Sequence, residues 1–164
     1  MGQSKKRNGI NLRMISNFGL GNAVACSTET FLVTVDLPAN YLESGAIITI
    51  ASGIIKSGAS STFTIKLYFN TSVSLTGALL MGTYSVVAAN TSPTIYRTFV
   101  FDSATTAKGL LSTANSSADT ATVSSTSESY TFTSWLANGG TFFITGLRLT
   151  GTETLQNVKM TIEV

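Results

Sequence analysis

Eight carboxylates, Glu29, Asp36, Glu43, Asp102, Asp119, Glu128, Glu153 and Glu163, are the side chains best suited to acid–base chemistry in this sequence. Two carboxylates facing one cleft can cleave a glycosidic bond. No spacing here marks out such a pair, and acids near turns are ordinarily solvated. The chain has no histidine, which removes Ser-His-Asp and Cys-His catalysis and most zinc sites. Cys26 is the single cysteine. It can form no intrachain disulfide, and with no histidine to activate it, it reads as a small buried hydrophobe. No calcium loop of alternating acids and no phosphate-cradling glycine motif is present. Gly19 and Gly21 form a lone G-x-G with no preceding strand. The residues therefore predict a protein that is not an enzyme and that holds no metal or cofactor.

Binding chemistry is better represented. Lys5, Lys6, Arg7 and Arg13 fall within the first 13 residues with no acid among them, which leaves six basic and eight acidic residues in the rest. A basic arm on a faintly acidic body suits an acidic protein surface, nucleic acid or a membrane. Exposed aromatics could stack on sugar rings. Trp135, beside the Gly139-Gly140 turn, and Tyr130 are the candidates for a glycan or partner contact, with core packing or a subunit contact as the other reading. Asn70-Thr71-Ser72, Asn90-Thr91-Ser92 and Asn115-Ser116-Ser117 fit the glycosylation acceptor pattern, as chance allows in a chain that is more than a quarter serine and threonine.

These residues must be carried by β-structure. Only 11% of the chain is charged and 43% is hydrophobic, against about 25% charged in average globular domains. Hydroxyls wet the surface instead, and threonine suits strands. Over Thr30–Leu37, Phe31, Val33, Val35 and Leu37 alternate with polar residues, the period-two signature of a strand with one dry face. Pro38-Ala39-Asn40 stops it. Residues 46–55 read as a strand buried on both faces, and 63–69 alternates cleanly. The apolar run 73–82 carries Gly77, which predicts a bulge or break. Residues 94–102 form a strand with Ile95, Arg97, Phe99 and Phe101 on one face. Residues 103–109 and 112–119 read as loops, with a weak strand at 120–124. Strands at 142–149 and 158–164 follow, the last strong enough to be central.

The prediction is an all-β fold: an antiparallel, jelly-roll-like β-sandwich of about 8–10 strands. Residues 1–26 would be a basic N-terminal anchoring arm and 27–164 the sandwich domain. Ala23-Val24-Ala25-Cys26 loosely imitates a lipoprotein cleavage site, but the segment before it is too polar for a signal peptide. No apolar run reaches the roughly 18 residues of a membrane helix.

The segment from Thr28 to Gly53 resembles the start of a β-sandwich domain widespread in tailed-bacteriophage virion structural proteins. The resemblance rests on Thr28-Glu29-Thr30, the alternating strand, the Pro38-Ala39-Asn40 stop, the connection from Leu42 to Gly45 and the strand from Ile48 to Gly53. It continues in TFTIKLYF at 62–69 and in the closing Ile162-Glu163, and is weakest over 70–135. It implies a head-decoration, head-fibre or tail protein on the particle surface, without catalytic residues. It also implies a homo-oligomer, often a trimer, whose partners are other virion proteins of the capsid, connector or tail. Lys5, Lys6, Arg7 and Arg13 would then meet acidic groups on such a partner, with neither nucleic acid nor membrane expected. The alternative function is a tail-associated domain that recognises host surface glycans.

Overall fold

The computed structural model of the chain describes residues 14–18, 21–109, 118–119, 128–132 and 135–164; of 14–18, 118–119, 128 and 135–136 it describes the backbone alone. Eleven strands are present among these residues: β1 (Met14–Phe18), β2 (Thr30–Leu37), β3 (Ile47–Lys56), β4 (Phe63–Asn70), β5 (Leu79–Val86), β6 (Thr94–Phe101), β7 (Thr106–Gly109), β8 (Ala118–Asp119), β9 (Glu128–Thr131), β10 (Gly140–Arg148) and β11 (Leu155–Glu163). A single helical turn, α1 (Trp135–Asn138), precedes β10. One sheet runs β1-β11-β3-β6-β7-β9 and the other β2-β10-β4-β5-β8, with every pairing antiparallel. The two four-stranded cores, β1-β11-β3-β6 and β2-β10-β4-β5, interleave along the chain as in a jelly roll. The short strands β7, β8 and β9 widen both sheets on one side.

Alternation in the sequence becomes the two inner faces. Ile48, Ile50 and Ile54 of β3, Phe99 and Phe101 of β6 and Ile162 of β11 meet Ile65, Leu67 and Phe69 of β4 and Phe142 and Ile144 of β10, all essentially inaccessible to water. Phe142 links the layers, with its ring 4.8 Å from Phe69 in its own sheet and 6.5 Å from Phe99 in the other. Each large aromatic removes roughly 150–250 Å² from water, so this cluster is a main source of stability.

The structure departs from the sequence pattern in four places. Phe31 does not share the inner face with Val33, Val35 and Leu37. The register steps from Ile144 opposite Val33 to Thr145 opposite Phe31, which makes Leu32 the extra, bulged residue of β2. Leu32 packs on the core, while Phe31 turns outward, 39% exposed, against Phe143 at 5.3 Å. An extra residue in one strand inverts the alternation beyond it. Residues 106–109, expected in a loop, form β7 and pair with both β6 and β9. Residues 46–55, expected to be buried on both faces, alternate instead: Ile48, Ile50 and Ile54 are inaccessible while Ile47 and Ile55 are 56% and 42% exposed; the break expected at Gly77 is present, as a turn at φ 73° before the strand that begins at Leu79. Finally, the sandwich starts at Met14 and not at residue 27: β1 pairs with β11 over five residues and Val24 bridges to Leu155. The expected strand at 120–124 lies outside the described residues. The stop at Pro38-Ala39-Asn40 is realised with Asn40 at φ 56°, a conformation asparagine tolerates.

Candidate functional site

The strand directions give the sandwich two distinct ends. At one, β1 begins, β11 ends, β3 begins and β6 ends, because Met14 pairs with Glu163, Glu163 with Thr49, and Ile47 with Val100. In the other sheet, β2 and β4 end there and β10 and β5 begin. The connection 38–46 joins the two sheets at this end and is held down by Gly45 N–H to Phe101 O and Phe101 N–H to Ala46 O. Lys5, Lys6, Arg7 and Arg13 lie outside the described residues. In the chain they precede Met14, which is at this end. The α1 turn sits there too. Gly139, which follows it at φ 64°, lies so close to the Leu37 carbonyl that a Cβ would collide with it. Trp135 opens this turn; its side chain is outside the described residues.

The acids are distributed unequally between the ends. Asp36 is the penultimate residue of β2, Glu43 is in the 38–46 connection, Asp102 follows β6 and Glu163 closes β11, so four of the six acids with described side chains are at the arm end. Lys108, bonded to Asp102 at 3.1 Å, is the base nearest to them along the strands. Asp36 also accepts a bond from Thr141 Oγ1 at 2.7 Å. Nothing in the sequence spacing could reveal this grouping, because the four positions span 128 residues of chain and meet only through the topology.

The far end is stitched together. The Glu153 carboxylate, in the β10–β11 connection, accepts Ser60 N–H at 2.7 Å, Ser60 Oγ at 2.8 Å and Ser61 N–H, all from the β3–β4 connection. Hydrogen bonding from Ser61, set against partial burial and joined by Ser60, holds its carboxyl down to about 2. Thr62 and Thr150 bond across the same gap at 3.0 Å. Lys56 is 3% exposed, and its Nζ donates to the carbonyls of Ser61, Val87 and Ala88. On the outer face of the β2 sheet, Glu29 receives Tyr68 Oη at 2.9 Å, Thr145 Oγ1 at 2.8 Å and Lys66 Nζ at 2.9 Å. Burial opposes its charge, but the bonds from Lys66, Thr145 and Tyr68 outweigh it and leave the carboxyl below its ordinary value.

Both carboxyls are depressed in the folded state, so they stabilise the fold above the unfolded pKa of about 4.3, and this contribution fades as pH falls through their folded values. Chemical denaturation should therefore show a midpoint that is flat from pH 7 to about pH 5 and falls between about pH 4.5 and 2. Glu153→Gln should flatten the lower part of that fall. An unchanged profile in this variant would remove Glu153 as a cause.

Of the two readings of Tyr130, exposed platform or core packing, the structure shows core packing. It is 7% exposed and faces the core; its hydroxyl receives Arg97 Nη2 at 3.1 Å and donates to Met81 O at 3.2 Å. Cys26 is buried, and burial pushes its thiol up to about 11, which removes the thiolate that nucleophilic chemistry needs. Asn70 is no glycosylation acceptor in this fold: its side-chain amide donates to Ser74 O and Thr76 O and its carbonyl accepts Thr71 N–H. Among the described residues no three metal-ligating side chains group together, and no helix is long and apolar enough to cross a membrane. What the arrangement offers chemically is charge and shape at the arm end.

The fold defines an all-β jelly-roll sandwich. Comparison with protein-family models, with curated proteins and with solved structures finds no match for this chain.

Proposed function

We propose that this chain is a non-enzymatic structural component of a bacteriophage particle, of the capsid-decoration or head-fibre type, anchored through its basic N-terminal residues. The observation that carries the reading is the geometry of attachment: four basic residues within 13 positions precede an edge strand that begins at one end, while the opposite end is closed by Glu153 and Lys56. Such a body has one end to hold and one to present. The jelly roll is a frequent solution for viral shells, and a hydroxyl-rich, weakly charged exterior resists non-specific adhesion. The resemblance to tailed-phage virion domains points the same way.

The glycan-recognition alternative loses one of its two candidates, because Tyr130 is committed to the core. Trp135→Ala, assayed for binding to host surface polysaccharide, addresses the other.

Deleting residues 1–13 removes all four basic groups and ends the cut just before β1. The truncated chain should keep its β-type circular dichroism and its melting temperature, yet join particles that lack the protein at least about tenfold less well, as expected when a multi-charge contact is lost. Incorporation at the level of the intact chain would refute the anchoring reading.

A further inference from the structure

We infer that the outer face of the β2-β10-β4 layer is a binding site for a neutral oligosaccharide, stacked on Phe31 and hydrogen-bonded to Glu29 and Lys66. This goes beyond the anchoring reading and does not depend on it. The first observation is the bulge in β2. Leu32 is the extra residue, so Phe31 faces outward, 39% exposed, where uninterrupted alternation would bury it with Val33, Val35 and Leu37. Bulges recur where a strand re-aims a side chain, and a large ring left in water forgoes the burial that phenylalanine otherwise gains. The ring is also held in place. It packs at 5.3 Å on Phe143, which is wholly buried and stacks in turn on Tyr68 at 5.4 Å and 20°. An aromatic surface fixed in advance loses little freedom on binding.

The polar groups beside the ring favour a sugar. Phe31 is in register with Thr145, and Thr145 with Lys66, so this row spans two strand spacings, about 10 Å. Thr145 and Tyr68 both donate to Glu29 Oε1, and Lys66 Nζ lies 2.9 Å from Oε2. A carboxylate offers about four acceptor positions; among the described residues three are used, and the fourth is on Oε2. Of the ammonium hydrogens, one goes to Glu29 and one can face the Tyr68 hydroxyl, against which Lys66 also lies; an ammonium has a further one to give. Both side chains reach the surface, Lys66 at 26% and Glu29 at 22% exposed. An acceptor and a donor side by side match hydroxyls on neighbouring carbons of a pyranose, each of which both donates and accepts, while the C–H face of the same sugar covers Phe31. The two charges cancel, which suits an uncharged ligand. A nucleic acid would bring phosphates to Glu29 with no surplus of cations in the pair to meet them.

Titration of the full, isotope-labelled chain with neutral hexasaccharides of glucose, galactose and N-acetylglucosamine, followed by amide chemical shifts, tests this. At least one should bind with a dissociation constant of about 1 mM or tighter and shift amides within residues 29–34, 64–68 and 143–147. Phe31→Leu keeps an apolar side chain but removes the ring, so it should weaken binding at least about tenfold with unchanged circular dichroism, whereas Phe31→Trp should retain it. Lys66→Met removes the donor and should weaken binding about two- to tenfold. Affinity at about 500 mM salt should equal that at about 20 mM, because no net charge is being paired. No shift with any of the three sugars overturns the site, as do shifts centred on Tyr96 or α1, binding abolished by salt, or a Phe31→Leu chain that binds like wild type. If the exposed ring instead joined copies of the chain, Phe31→Leu would slow sedimentation while the sugars left these amides unmoved, and that too overturns it. Deleting residues 1–13 should leave sugar binding unchanged. Particle incorporation is read separately, so failure of the sugar site and failure of anchoring are told apart.

Discussion

Arg97→Ala should destabilise the fold by about 3–5 kcal/mol, the range for emptying a large buried site and breaking a buried charged contact. In a domain of this size that is a fall in melting temperature of roughly 6–20 °C. Arg97 is wholly buried on the inner face of β6, between Ile95 and Phe99 in the alternation. Its guanidinium donates to the Tyr130 hydroxyl, which in turn donates to the carbonyl of Met81 in the other sheet, and its carbon centre lies 5.7 Å from the Phe99 ring centroid. The chain β6–β9–β5 thus ties the two sheets together on the side widened by β7, β8 and β9, away from the β1–β2 side. Arg97→Met keeps most of the volume, so it should recover the packing share and leave a loss of about 2 kcal/mol. Tyr130→Phe combined with Arg97→Ala should be non-additive by about 0.5–3 kcal/mol, as for any pair in one network. Urea denaturation of wild type, Arg97→Ala, Arg97→Met, Tyr130→Phe and the double variant measures all of this. An Arg97→Ala chain within about 0.5 kcal/mol of wild type would show that this bridge does not hold the sheets.

Much of this fold can be read from period-two patterning, because a strand's core face is written into every second residue. Thr30–Leu37 is found at its predicted limits, and the strand closing the sequence lies between β1 and β3, as its strength suggested. Pattern fails where a single residue is inserted. The alternation over Phe31, Val33, Val35 and Leu37 is perfect on paper, yet the bulge at Leu32 sends Phe31 outward. Only the partner strand reveals that. β1 and β7 were hidden for a different reason: each is short, and β7 contributes the small residues Ala107 and Gly109 inside, so neither shows an apolar stripe. Their stability comes from neighbours, not from their own composition.

The candidate site was legible only in its local half. The basic arm is a run in sequence and needs no fold to be noticed. The acidic end is assembled from four separated positions and exists only once the strands have directions. Tyr130 shows the converse: an aromatic near polar residues suggests an exposed platform, but its hydroxyl has a partner on each sheet, and that satisfies it in the core. A glycan site built on aromatics must therefore be sought on outward positions of the strands. There Phe31 and Tyr96 are 39% and 42% exposed.

Lys56→Met should cost about 2–4 kcal/mol, even though it replaces a nearly inaccessible polar side chain by an apolar one of similar length. The usual expectation is that removing a buried charge can be neutral when its partner is removed as well. Here the partners are backbone carbonyls and stay behind. Nζ has three hydrogens, and three carbonyls, Ser61, Val87 and Ala88, receive them. The variant leaves those acceptors behind, the contact to Ser61 buried and those to Val87 and Ala88 partly so, at about 1–3 kcal/mol for such a group where no water replaces the bond. The effect should be local before it is global. Lys56 stands where β3 ends, and its side chain joins that point to the β3–β4 and β5–β6 connections. Amide exchange should therefore quicken in residues 57–62 and 87–93 while β10 keeps its protection. At the arm end, 38–46 is held by its own bonds to Phe101 and should not respond. If exchange rose equally at both ends, Lys56 would be acting on the whole core and the division of the sandwich into a stitched end and an anchoring end would fail. If neither stability nor exchange changed, water would be replacing the amine, and the far end would need another explanation for its closure.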